Sequence, residues 1–150
     1  MFNKQKVLDN LVSILEPMSM SYLSGVVRET TVKYVHYSTV YEAYADVWLI
    51  PTPHLVDNDG IYNRVPEFAC LVDDIRVSWI EHKQLINKFS NLGVKELLIV
   101  DLCSECVELY QNGCSRLAVI QGGYLTAPED IIRLRYNNVI KLRDIVTNAR

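Results

Sequence analysis

Residues 81–110 read EHKQLINKFSNLGVKELLIVDLCSECVELY, and this stretch decides the fold. Leu85, Ile86, Phe89 and Leu92 recur at helical spacing, with Lys83, Asn87, Lys88 and Asn91 between them, so an amphipathic helix is predicted. Gly93 follows the last periodic residue, where a helix commonly closes in a left-handed position that suits glycine. Glu96 to Leu102 is then too continuously apolar for a strand with one wet face, and reads as a central strand covered on both sides. Asp101 and the CSEC segment break the run, and Val107-Glu108-Leu109-Tyr110 restarts it with alternation. A helix leading into a buried strand is α/β architecture.

Working outward, Asn3 is placed to cap a first helix with Val7, Leu8, Leu11, Val12, Ile14 and Leu15 on its apolar face, ended by Pro17. From Val26 to Tyr37 β-branched and aromatic residues dominate. Period two puts Val26, Val32 and Tyr34 on one side against Glu29, Thr31 and Lys33. Ser38 to Tyr44 reads equally as more strand or as a turn with a short edge. Asp46 to Ile50 is a strand closed by Pro51 and Pro53, and Asp57-Asn58-Asp59-Gly60 is a surface turn without the downstream Glu of a calcium loop. Phe68 to Val72 is a short apolar strand ended by Asp73-Asp74. Asn112-Gly113 predicts a hairpin pairing Val107–Tyr110 with Leu117–Ile120, and Gly122-Gly123 a further turn. Ile131 to Tyr136 reads as a late strand, and Asn138 as the cap of a terminal helix bearing Val139, Ile140, Leu142 and Ile145. The expectation is one domain over residues 1–150, an α/β fold with a mixed central sheet flanked by helices.

Composition narrows the function classes. With 49% hydrophobic and 22% charged residues the chain has ordinary globular make-up. Its apolar runs fall far short of the ~20 residues that span a bilayer. Charges interrupt the apolar pattern of the first residues and no cleavage signature follows, so a cytoplasmic protein with no membrane partner is expected. A net charge of −3 argues against coating nucleic acid through bulk charge. Positive charge gathers only at Arg133, Arg135, Lys141, Arg143 and Arg150, read as a solvated helix face. Cys70, Cys103, Cys106 and Cys114 are expected to be reduced thiols. Cys103-x-x-Cys106 supplies half of a zinc knuckle, which only Cys114 could approach, across a hairpin. His36, His54 and His82 are too dispersed for common metal spacings, and neither a phosphate loop nor a G-x-S-x-G elbow is present. Trp48 and Trp79 read as core anchors.

Five segments resemble a known family. Gly93-Val94-Lys95-Glu96, Ile99-Val100-Asp101 and Val107-Glu108-Leu109-Tyr110 resemble the Uma family of candidate restriction endonucleases, in the PD-(D/E)XK nuclease superfamily. Its members carry a helix, then GV-x-E-Y-W-x-V-D, then a V-E-V-Y strand. Ala45-Asp46-Val47-Trp48-Leu49 resembles the family's first PD strand with Ala in place of Pro, and Pro66 to Val72 resembles the strand that holds its catalytic Glu. The spacing from Pro66 to Gly93 matches without a gap.

That resemblance implies a restriction-endonuclease-like core. It also implies a site in which an Asp and a Glu hold a divalent cation such as magnesium, with a Lys supporting the attacking water. Here the Asp position is Asp46, but the Glu position falls on Leu71 and the Lys position on Leu85. The substitute residues nearby are Glu67 and Asp73, on Leu71's side of the strand by period two, and Lys83, which the helical period turns about 160° from the Leu85 face. Two function classes follow. One is a nuclease-fold protein with a degenerate site, acting through binding or assembly. The other is a magnesium-dependent DNA endonuclease whose displaced site uses Asp46 and Asp73 as metal ligands with Glu67 and Lys83. Nucleic acid, a second copy and a protein partner all remain open.

Overall fold

Local capping sets both long helices. Asn3 Oδ1 accepts the Lys6 N–H at 3.1 Å and starts α1 (Lys4–Met18), which buries Val7, Leu8, Leu11 and Leu15. The helix runs through Pro17 rather than ending at it. The Ser19 N–H and hydroxyl both donate to Glu16 O and close the last turn. The chain is described by a computed structural model over residues 1–51, 60–62, 64–112, 116–127 and 129–150. The expected acidic turn at Asp57–Asp59, and also His54, Pro53, Gly113 and Cys114, lie outside the described residues.

β1 (Ser24–His36) and β2 (Thr39–Pro51) form a long antiparallel hairpin, joined by Tyr37 and Ser38 at φ 48° and 64°. Two successive left-handed residues make the turn whose twist matches the flanking strands, so the segment from Thr39 onward is strand. β3 (Ile61–Tyr62) pairs in parallel with β1, and β4 (Phe68–Asp73) pairs antiparallel with β2. Ser78 accepts the Glu81 N–H at 3.2 Å to open α2 (Trp79–Leu92), and Gly93 closes it at φ 86°. β5 (Glu96–Asp101) then pairs in parallel with β4 and antiparallel with β6 (Cys106–Asn112), which pairs with β7 (Leu117–Tyr124). Among the described residues the sheet order is β3-β1-β2-β4-β5-β6-β7, with β5 interior and buried from Glu96 to Val100. Gly122 and Gly123 lie inside β7 and do not form a turn. A Cβ on Gly123 would stand 2.6 Å from Leu142 Cδ1, so glycine there admits the chain that follows.

That following chain is β8 (Ile131–Arg133), a 3-10 turn over Arg135–Asn137, β9 (Val139–Lys141) and the one-turn α3 (Leu142–Ile145). Of the terminal helix expected from Asn138, Val139–Lys141 is instead a strand and Leu142–Ile145 is helical. Ile132 opposes Ile140 and both are buried, so cross-strand pairing outweighs the helical spacing of the apolar residues. Asn138 closes the 3-10 turn, its side chain donating to Arg135 O, and starts no helix. The basic residues here are distributed over this ribbon and its turns, not along a helix face.

Apolar side chains divide between two faces. α1, α3 and the ribbon cover one, with Val47, Leu49, Phe68, Cys70, Val72, Leu98 and Val100. α2 covers the other, with Trp48, Ala69, Leu71, Leu97 and Ile99. The hairpin departs from simple alternation. Val26 packs on the α1 face while Val32 and Tyr34 pack on the α2 face, so these three do not share a side. Its partner strand changes sides likewise, between Ala43 and Ala45 on one face and Val47 and Leu49 on the other. The crossover sits at Glu29, φ 50°, and Asp46 opposite it, where the register continues but the two residues are not paired. On the α1 face Glu96 is fully buried, accepting hydrogen bonds from the Tyr22 hydroxyl, Gln111 Nε2 (2.7 Å) and the Arg135 N–H (3.0 Å). Burial raises its pKa, and these donors partly offset the rise. Among the described residues no helix is long and apolar enough to cross a membrane.

Candidate functional site

β2 and β4 are paired at Leu49–Phe68, Trp48–Ala69 and Val47–Cys70, and then separate. Asp46 stands at the separation, 3% exposed. Its Oδ2 accepts the Val72 N–H at 2.7 Å, filling the place of the carbonyl that a continuing ladder would supply. Its Oδ1 accepts the Tyr44 hydroxyl at 3.2 Å and lies 3.5 Å from Lys4 Nζ. Leu71 is 6% exposed within the α2-face cluster, and Leu85 packs half-buried against the same cluster. The positions that resemble a metal site therefore offer one carboxylate, already engaged by a backbone N–H and an ammonium, beside two apolar side chains. That donor set does not fit a divalent cation.

Of the substitute residues only Asp73 lies near Asp46: it follows Val72, whose N–H Asp46 accepts, and the Asp46 charge is one cause of its raised pKa. Glu67 precedes β4, where its carboxylate accepts the Tyr136 hydroxyl at 2.8 Å and lies 3.6 Å from Lys95 Nζ. Asp73 ends the same strand, about 20 Å from Glu67 at the usual rise per residue. Lys83 is exposed on the outside of α2, its Nζ 5.1 Å from the centre of the Trp79 ring. Trp79 itself is 74% exposed, so of the two tryptophans only Trp48 is a core anchor.

What the strands do assemble is a polar pocket at the carboxyl ends of β4 and β5. The register sets Asp73 beside Asp101 and Asp101 beside Cys106, with Leu71, Ile99 and Glu108 forming the row beneath. The first turn of α2 adds His82, whose Nε2 lies 3.3 Å from the Tyr110 hydroxyl and 3.8 Å from Glu108 Oε1. The Tyr110 hydroxyl donates to Glu108 Oε2 at 3.3 Å. Asp101 Oδ1 accepts the N–H groups of Cys103 and Ser104 and so shapes the turn after β5. The hollow measures about 390 Å³, and Ile75, Val77 and Trp79 form its apolar wall.

Burial and like charge raise three pKa values here. Burial, then the adjacent Asp101, raises the Asp73 pKa. Burial, Asp101 and Glu108 raise the Cys106 thiol, and burial with Glu108 pushes Tyr110 up to about 12. Neither Cys106 nor Tyr110 is thus activated as a nucleophile. The sequence signal for this pocket is the alternation in Val107–Tyr110, which places Glu108 and Tyr110 on one face. Nothing in linear order joins them to His82 or Asp73. Among the described residues no group of three or more His, Cys, Asp or Glu side chains is arranged to hold a metal ion.

No protein-family model matches the sequence, and no curated protein matches it. A solved structure does. It is described as a "putative nuclease belonging to DUF820" from Anabaena variabilis ATCC 29413, with a TM-score of 0.68 over 95% of this chain and 79% of that one. The two share a fold. At 10% sequence identity the likeness covers architecture alone. It accords with the restriction-endonuclease-like core expected from the ordered segments between Ala45 and Tyr110, and does not single out the Uma family.

Proposed function

We propose that this chain is a nuclease-fold protein that does not hydrolyse phosphodiesters and acts through binding or assembly, in the cytoplasm. One observation carries the reading. Leu71, 6% exposed in an apolar cluster, occupies the position where the resemblance calls for the second metal carboxylate. Asp46 beside it is engaged as a strand cap. A buried leucine neither binds a cation nor moves a proton, and placing charge there costs several kcal/mol unless it is paired.

The test is cleavage of plasmid and single-stranded DNA with magnesium or manganese, using wild type, Asp46→Ala, Asp73→Asn and the double variant Leu71→Glu/Leu85→Lys. Silence in the wild type, with cation binding gained by the double variant, is the expected result. Wild-type cutting abolished by Asp46→Ala or Asp73→Asn would overturn it in favour of a displaced, magnesium-dependent site. The pairing of Asp73 with Asp101 is the observation on the side of that alternative.

A further inference from the structure

The pocket at the ends of β4 and β5 has two unlike walls. One is anionic: Asp73, Asp101 and Glu108 face it, and Arg76 is the one Lys or Arg among its lining residues. Neither Asp73 nor Asp101 forms an ion pair with a Lys or Arg among the described residues. Asp73 is half-buried next to a like charge in register, an arrangement that costs the fold stability and that an incoming cation would relieve. The other wall is apolar and open to solvent, with Lys83 Nζ 5.1 Å from the centre of the Trp79 ring. Ile75 is 72% and Trp79 74% exposed, and Ile80 beside them is 62% exposed. Three large apolar side chains thus stand in water within one short segment.

We propose that this pocket is a docking site for an arginine-bearing segment of a partner protein. A guanidinium is the cation that uses both walls. It stacks on an indole face and donates planar, paired hydrogen bonds to carboxylates, which a compact ammonium does less well. The inference rests on the reading of the chain as a binding module and names the chemistry of its partner. Nucleic acid is a poor occupant, because phosphates approaching Asp73, Asp101 and Glu108 are repelled. A free small cation is also a poorer fit. A second hollow of about 480 Å³ shares Ser104, Cys106 and Glu108 with the first and continues past Gly122 and Gly123 to Tyr124 and Asp130. The shared residues place the two hollows side by side, with room beside the arginine for its flanking residues. Trp79 and Ile75 line the first hollow, where an apolar neighbour of the arginine would rest.

The experiment uses the full chain and a short capped peptide carrying one central arginine between leucines. Its controls are the same peptide with citrulline for arginine, spermidine, and a single-stranded oligonucleotide. Trp48 is fully buried and Trp79 exposed, so a change in tryptophan emission reports the pocket directly. Calorimetry follows the variant that lacks Trp79. The arginine peptide should bind and shift the emission. Citrulline, Asp73→Asn and Trp79→Ala should each weaken binding about tenfold or more. Glu42→Gln, on the hairpin beside Lys33, should leave it unchanged. Failure of the arginine peptide to bind, equal binding of the citrulline peptide, indifference to Asp73→Asn, or tighter binding of spermidine or the oligonucleotide would each overturn the proposal. The cleavage assay separates the two failures. Silent cleavage with no peptide binding removes this pocket and leaves a binding module that uses another surface. DNA cutting with peptide binding intact removes the silent-module reading and leaves the pocket.

Discussion

The Asp46 carboxylate accepts the Val72 N–H at 2.7 Å where β2 and β4 part, and so closes a ladder that the backbone leaves open. This makes Asp46 a structural residue whatever else it does. Asp46→Ala should orphan a buried N–H and release Lys4 and Tyr44, at a cost of about 1–3 kcal/mol. Asp46→Asn, which keeps an acceptor for Val72, should cost less. Urea denaturation of both variants measures the order, and a loss below about 0.5 kcal/mol in the alanine variant, the range of ordinary surface changes, would refute the capping role.

Leu71 and Leu85 should differ. Leu71→Ala opens a cavity in a closed cluster and should cost about 2–4 kcal/mol, whereas half-buried Leu85→Ala should cost nearer 1 kcal/mol. Equal losses would show that α2 is docked more deeply over Leu85 than the structure has it.

Stability should respond to acid through Asp73 with a definite sign. Its folded-state pKa lies above the unfolded value, so between the two the native state binds more protons. The ionised carboxylate therefore burdens the fold above its folded pKa, and the burden lifts as pH falls through that pKa toward the unfolded value near ~4. Asp73→Asn should be more stable than wild type at neutral pH, and the gain should vanish below the ordinary carboxylate range. Melting curves across that range test this; a variant less stable at neutral pH would reverse the sign.

Two adjacent glycines make an internal control. Gly123→Ala would drive a methyl into Leu142 and should cost about 1–3 kcal/mol. At Gly122 the added carbon meets Val107 O at an ordinary 3.5 Å, so Gly122→Ala should stay within about 0.5 kcal/mol of wild type. Thermal unfolding of the pair decides it, and equal effects would place Leu142 elsewhere.

The parts of the fold legible in sequence are those whose signals are local. Gly93 closes α2, and the apolar run after it leaves β5 no surface to be polar on. The misread parts involve competition over distance. Ile140 has helical neighbours in sequence, but its partner Ile132 comes from another segment. The change of face at Glu29 rests on one left-handed residue that no periodicity announces. Local pattern was enough to set Asp46 and Leu71 on strands and Leu85 on a helix. The acidic pocket was not, since His82, Asp73 and Glu108 come from three elements and meet only through strand register. Trp79 shows the same limit: a tryptophan at a helix start is a core anchor by composition, yet here it stands in water.

Asn10 in α1 donates to the carbonyls of Ile145 (3.0 Å) and Thr147 (2.9 Å), 135 and 137 residues further along, and the Asn3 N–H donates to Ala149 O at 2.6 Å. Within this span, the helix that leaves the ribosome first is thus fastened by the segment that leaves it last. The loop that must close is nearly the whole described span, so its entropic cost falls at the end of folding and slows that step. The β1–β2 and β6–β7 hairpins, which need only neighbouring residues, can be in place well before it.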